Sequence, residues 1–116
     1  MDEFLLLFRI DILTKDAQPT AEQMKVYMQQ YRDWVDTIIA ENKFVGGKGL
    51  SVEGKVLKEN FITDGPFVEI KESIAGFIII KANDLNDAVR ISKGCPILNG
   101  KGNSVEVRII ATEHKL

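Results

Sequence analysis

Residues 4–13 read FLLLFRIDIL and residues 76–82 read GFIIIKA. A strand with one wet face alternates apolar and polar side chains. These two runs are apolar on both parities, the pattern of strands covered on both faces. In the first, Arg9 and Asp11 interrupt only the parity that also carries Leu5, Leu7 and Leu13. A third run, residues 104–112, does alternate: Val105, Val107 and Ile109 share one face, Glu106 and Arg108 the other.

Between these strands the apolar period changes from two to 3.6. Thr20 begins a helix over residues 20–41, with Gln23 as its capping-box partner. Met24, Tyr27, Met28, Tyr31, Trp34, Val35, Ile38 and Ile39 recur at three- and four-residue spacing. Such a stripe reads as core, and it stops near Asn42, a left-handed cap. Asn83 or Asp84 caps a second helix, DLNDAVRISK, with Leu85, Ala88, Val89 and Ile91 inward; Gly94 closes it and Pro96 prevents its continuation. Residues 44–52, FVGGKGLSV, follow a helix rather than joining a strand to a helix. That context rejects a phosphate cradle and predicts a twisted or bulged strand. Glu53–Gly54 then reads as a hairpin turn into a further strand over residues 55–63.

The order is strand, helix, two strands, strand, helix, strand. It predicts an α+β, ferredoxin-like βαβ-β-βαβ sandwich in one domain spanning residues 1–116: an antiparallel sheet with two helices on one face. Two helices cover one face only, yet the central strands are apolar on both. The open face therefore calls for a second copy of the chain, a homodimer packed sheet on sheet.

Composition excludes several function classes. The chain has 116 residues, with 15 Lys and Arg against 17 Asp and Glu, a net charge of −2. No clustered positive excess marks a nucleic-acid or membrane partner. The longest apolar runs fall far short of the ~20 residues that span a bilayer. Cys95 is the only cysteine, so neither an intrachain disulfide nor a Cys-built metal cage is available. The same count, together with an acidic Met1–Asp2–Glu3 start unlike a secretory signal, gives a cytoplasmic expectation. Cys95 reads as a small packed residue at a helix end rather than a nucleophile. His114, the one histidine, lies near the C-terminus, which leaves no buried Ser-His-Asp or Cys-His set. Neither a metal site nor a cofactor is expected.

The informative segment is TDGPFVEIKESIAG, residues 63–76. Asp64, Gly65 and Pro66 are strong turn chemistry. One reading is a connecting turn followed by a solvated charge run. The other notes that Asp64, Glu69, Lys71 and Glu72 crowd beside Phe67, the ingredients of a polar pocket in which a desolvated carboxylate works as acid or base.

Asp64, Gly65, Pro66, Phe67, Glu69, Lys71, Glu72 and Gly76, in that order, resemble the signature of the DGPF subgroup of the YCII-related family. The opening apolar strand, the GG-x-L stretch ending at Leu50, Cys95–Pro96 and VEVR at residues 105–108 are also similar to that family, so the resemblance covers essentially the whole chain. It implies a dimeric α/β barrel, two ferredoxin-like sheets facing each other across a two-fold axis. Some relatives resemble enzymes of the muconolactone-isomerase or dehydrochlorinase type, with a His–Asp pair at a cleft. The first helix here has no histidine, so only the Asp–Glu–Lys cluster is left for proton transfer. DGPF-type proteins also resemble companions of extracytoplasmic-function sigma factors.

Three functions follow as expectations. The first is a small-molecule-binding protein, with acid/base chemistry at a cleft near the motif and the dimer interface. Its ligand-binding candidates are Asp64, Gly65, Pro66, Phe67, Glu69, Lys71, Glu72, Arg9 and Arg108. Arg9 and Arg108 are candidate anion partners on neighbouring strands; the competing reading pairs each with Asp11 or Glu106. The second is a non-catalytic regulatory module acting through a protein partner such as a sigma factor. The third is a stable dimer whose DGPF turn shapes only the interface.

Overall fold

The computed structural model of the chain describes residues 1–12, 18–64 and 72–112. In order these form β1 (Asp2–Asp11), α1 (Ala21–Ala40), β2 (Phe44–Gly49), β3 (Lys55–Lys58), β4 (Phe61–Asp64), β5 (Glu72–Ala82), α2 (Leu85–Ser92) and β6 (Ser104–Ile109). A 3₁₀ helix, Pro96–Asn99, lies between α2 and β6. Four strands make one antiparallel sheet in the order β2-β5-β1-β6. Two split βαβ halves interleaved in this way are the ferredoxin-like α+β fold.

The helices start and stop where their capping chemistry directs. Thr20 accepts from the Gln23 backbone N–H at 3.1 Å, and the Gln23 side chain accepts from Thr20 N–H at 2.8 Å, closing the capping box. Beyond the C-terminus Asn42 takes φ 58°, a left-handed exit. Asp84 caps α2 through a 2.7 Å bond from Asp87 N–H. Across the helix layer Trp34 Nε1 donates to Ile91 O at 3.0 Å. A Cβ at Gly94 would stand 2.9 Å from the Trp34 ring, so a glycine there lets α2 end against the indole.

One element differs from the sequence expectation. The predicted strand over residues 55–63 is two strands: Lys58 pairs with Phe61, Lys55 pairs with Asp64, and Glu59–Asn60 form the turn. The expected turn at Glu53–Gly54 is irregular connection, and the β3–β4 hairpin forms a sheet of its own. Asn tolerates tight-turn geometry, but without a following glycine the signal at Glu59–Asn60 is weak.

The core is one cluster between the helices and one face of the sheet: Phe4, Leu6, Phe8, Trp34, Ile38, Ile78, Ile80, Ala82, Ala88, Ile91, Cys95 and Ile97. Burying a side chain of the size of Ile38 or Ile78 contributes about 2 kcal/mol. Strand register explains which residues enter. Residues opposite each other in an antiparallel pair share a face, so the helix-facing side is built of three cross-sheet rows. They read Ile109–Phe4–Ile80–Phe44, Val107–Leu6–Ile78–Gly47 and Val105–Phe8–Gly76–Gly49. The third row ends in two glycines. The expected bulge in the glycine-rich strand is present as a register shift between Phe44 and Gly46.

The opposite face carries the other parity. Its rows read Arg108–Leu5–Ile79–Gly46 and Glu106–Leu7–Phe77–Lys48, apolar in the middle and charged at three of their four edge positions. The least molecular extent is 19 Å, one helix layer on one sheet, and among the described residues no element packs over Leu5, Leu7, Phe77 and Ile79.

Candidate functional site

The glycine pair at the end of the third row shapes the main cavity. Over the first two rows α1 packs in the ordinary way, with Trp34 and Ile38 buried on sheet side chains. Over the third row the sheet offers Gly76 and Gly49, and the helix has nothing to fill against. Met24 and Met28, read from the sequence as core, are 42% and 39% exposed. Tyr27 and Tyr31 are half-buried. The result is an open groove of about 1020 Å³ between the N-terminal half of α1 and the sheet. Its wall is Met24, Tyr27, Met28 and Tyr31; its floor is Gly49, Ala75 and Gly76; Phe8 closes the inner end, and Pro96–Ile97 flank it.

The two floor glycines do different things. A Cβ on Gly76 would come within 2.7 Å of the Lys48 carbonyl oxygen, so close pairing of β2 with β5 requires glycine there. A Cβ on Gly49 would meet nothing within 4 Å and would project into the groove. On the wall, Tyr31 packs edge-on to Phe8 with ring centroids 5.9 Å apart, and tilts on Trp34 at 5.9 Å. These contacts fix the Tyr31 ring and couple it to the core. Burial, helped by neighbouring Cys95 and Tyr31, pushes the Tyr27 hydroxyl up to about 12. Burial and Cys95 also raise Tyr31. Both phenols are therefore neutral hydroxyls at neutral pH, able to donate and to accept.

At one end of the groove the polar groups already have partners. Asn103 Oδ1 accepts from Asp11 N–H at 2.9 Å, and its Nδ2 donates to Ile97 O at 3.3 Å. Gln18 Nε2 donates to Asp11 O at 2.7 Å. Glu22 and Lys101 line the mouth and are solvent-exposed. Beneath the wall Cys95 is 3% exposed, and burial pushes its thiol up to about 11. It is the packed residue the sequence implies, not a thiolate nucleophile.

The sequence candidates fall in three groups. Arg9 and Arg108 lie on the open face, away from the groove, and the structure brings them together on one carboxylate: Glu106 bonds Arg9 at 3.1 Å and Arg108 at 3.5 Å. The ion-pair reading is the observed one for both arginines, across strands for Arg9 and along β6 for Arg108. Asp64 ends β4 and Glu72 begins β5, where it pairs with Asp11. Gly65, Pro66, Phe67, Glu69 and Lys71 lie outside the described residues, as does His114. Sequence reasoning missed Gly49, Gly76 and the exposed half of the α1 stripe. The available signal was parity: counted from Phe44 across the bulge, Gly47 and Gly49 fall on the face that α1 must cover.

A second charged cluster is structural. Asp87 accepts from Asn83 N–H at 3.0 Å, Lys43 Nζ at 3.0 Å, and Arg90 Nε and Nη2 at 3.0 and 2.9 Å. Arg90 also reaches Glu41 at 3.4 Å, so the group ties the end of α1 and the start of β2 to α2. The Asn83 amide, Lys43 and Arg90 together hold the Asp87 carboxyl well below the usual carboxylate range.

Sheet order, two helices on one face and an interlayer groove define a ferredoxin-like α+β protein with an open groove between its layers. The family model of the YCII-related domain matches residues 9–113, and the chain belongs to that family. No curated protein matches it. Among the described residues no helix is long and apolar enough to cross a membrane.

Proposed function

We propose that this protein binds a small molecule in the groove beneath α1 and works as a homodimer joined through the open sheet face. The observation that carries the reading is the pairing of a half-exposed Met and Tyr wall with a floor lacking side chains at Gly49 and Gly76. Concave, mostly apolar cavities of this size with a few hydroxyls are the usual form of a small-molecule site. The DGPF signature supports membership of that subgroup. It also stands directly upstream of the strand whose Ala75 and Gly76 floor the groove. On this reading Asp64 and Glu69 do the proton transfer. The lone Cys95 supports a reducing, cytoplasmic setting.

The dimer reading rests on the open face. Leu5, Leu7, Phe77 and Ile79 form its apolar centre, with Lys48 on one edge and Glu106 and Arg108 on the other. A self-complementary two-fold contact can set Lys48 of one copy against Glu106 of the next.

A thermal-shift screen of a chemically diverse small-molecule library tests the binding reading, run on the wild type and on Gly49→Leu. The expected result is compounds that raise the wild-type Tm by a few degrees and leave Gly49→Leu unmoved. Hits that stabilise both proteins equally, or a screen with no hits, contradict it.

A further inference from the structure

We infer that the groove takes an uncharged, planar aromatic compound, lying between the Tyr27 and Tyr31 rings and the bare backbone of Gly49 and Gly76. This rests on the reading of the groove as a binding site and narrows it to a ligand class.

Three observations carry it. First, the two sides of the groove differ in shape. α1 contributes rings and thioethers, while the sheet contributes strand backbone at two opposed glycines, beside Ala75 and with Phe8 at the inner end. A ring-bearing wall over backbone without side chains at Gly49 and Gly76 suits a plane better than a branched or globular group. Ring–ring packing adds to the area buried, and Met24 and Met28 sulfurs favour ring edges. Second, the charges lie in the wrong place for an ion. Glu22 and Lys101 are exposed at the mouth, and among the described lining residues no charged side chain is buried. Among the described residues an ionised group carried inside would lose water and gain no buried counter-ion, which is unfavourable. Third, the polar groups on the wall are phenols. Their hydroxyls match a carbonyl, hydroxyl or ring nitrogen on the edge of a neutral aromatic compound.

The chain carries its own reporter. Trp34 is its only tryptophan, and its ring packs against Tyr31 and Phe8, which line the groove. The experiment titrates the full-length protein with the neutral dye N-phenyl-1-naphthylamine and, separately, with the anionic dye 1-anilinonaphthalene-8-sulfonate. Dye emission and Trp34 quenching are read together. The expected result is saturable binding of the neutral dye with Trp34 quenched, and binding of the sulfonate weaker by at least about tenfold. Gly49→Leu, which fills the floor, and Met24→Glu, which charges an exposed wall position, should each weaken the neutral dye by about tenfold or more. An unchanged circular-dichroism spectrum and urea midpoint show that both variants fold. Should the sulfonate bind as tightly as the neutral dye and be lost in Gly49→Leu, the ligand class is wrong and the groove stands. Should neither dye respond to the two substitutions, or neither bind, the groove reading falls with it.

Discussion

Gly47 and Gly49 sit two residues apart on β2, both on the helix face, and the space around them is opposite in kind. A Cβ on Gly47 would overlap the Phe77 carbonyl oxygen and stand 2.7 Å from Ile78 Cγ2, while one on Gly49 would meet nothing. Gly47→Ala should therefore cost about 2 kcal/mol or more in urea unfolding, because backbone must shift to admit it. Gly49→Ala should stay within about 0.5 kcal/mol of the wild type. Equal costs for the two would mean that the glycines share a conformational role and that Gly49 does not border open space. At this scale the sequence was a good guide to caps and a poor guide to cavities. Thr20, Gln23, Asn42 and Asp84 act through neighbours a few residues away, so their roles are legible. The purpose of Gly49 depends on Gly76 across the strand pair and on Tyr27 and Met24 a layer above.

Elements are held together by few polar ties, and the Asp87 cluster is the clearest. Its Asn83, Lys43 and Arg90 contacts lower the Asp87 carboxyl in the folded state. A folded value below the unfolded one gives stability that is fully present above the ordinary carboxylate range, about pH 4, and is lost progressively as pH falls below it. In melts across pH 7 to 3, Asp87→Asn should be less stable than the wild type at neutral pH, and the gap should narrow progressively below about pH 4. A gap that persists unchanged into acid would show that Asp87 acts as a helix-capping hydrogen-bonder and not as a charge. Helix and strand limits were largely legible because period and capping are local signals. The β3–β4 hairpin was not. Residues 55–63 read as one strand, and the turn at Glu59–Asn60 lacks the glycine that marks a tight hairpin. The α1 stripe was legible as a stripe; that its first half overhangs glycine rather than core was not, since this depends on sheet register.

At the scale of the whole molecule the two faces of the sheet have separate work. The helix side holds the core and the groove, and the other side carries Leu5, Leu7, Phe77 and Ile79, the face proposed for a second copy. FLLLF and FIII called for a cover on that face, and the sequence placed a cleft at the dimer seam near the DGPF motif, most of which lies outside the described residues; the groove on the helix side was not legible. Both arginines point away from the groove, onto Glu106. The substitution Leu7→Lys separates the two arrangements. Leu7 faces Glu106 directly across β1 and β6, so a lysine there gains a cross-strand partner within the chain while placing charge in the centre of the proposed contact. Sedimentation equilibrium of this variant, with N-phenyl-1-naphthylamine binding measured on the same sample, is the most direct test. The account predicts a wild-type mass of twice the 13.0 kDa chain, a variant at the mass of a single chain, and dye affinity unchanged within about twofold. A monomeric Leu7→Lys that no longer binds the dye would contradict it, and would return the site to the seam between subunits.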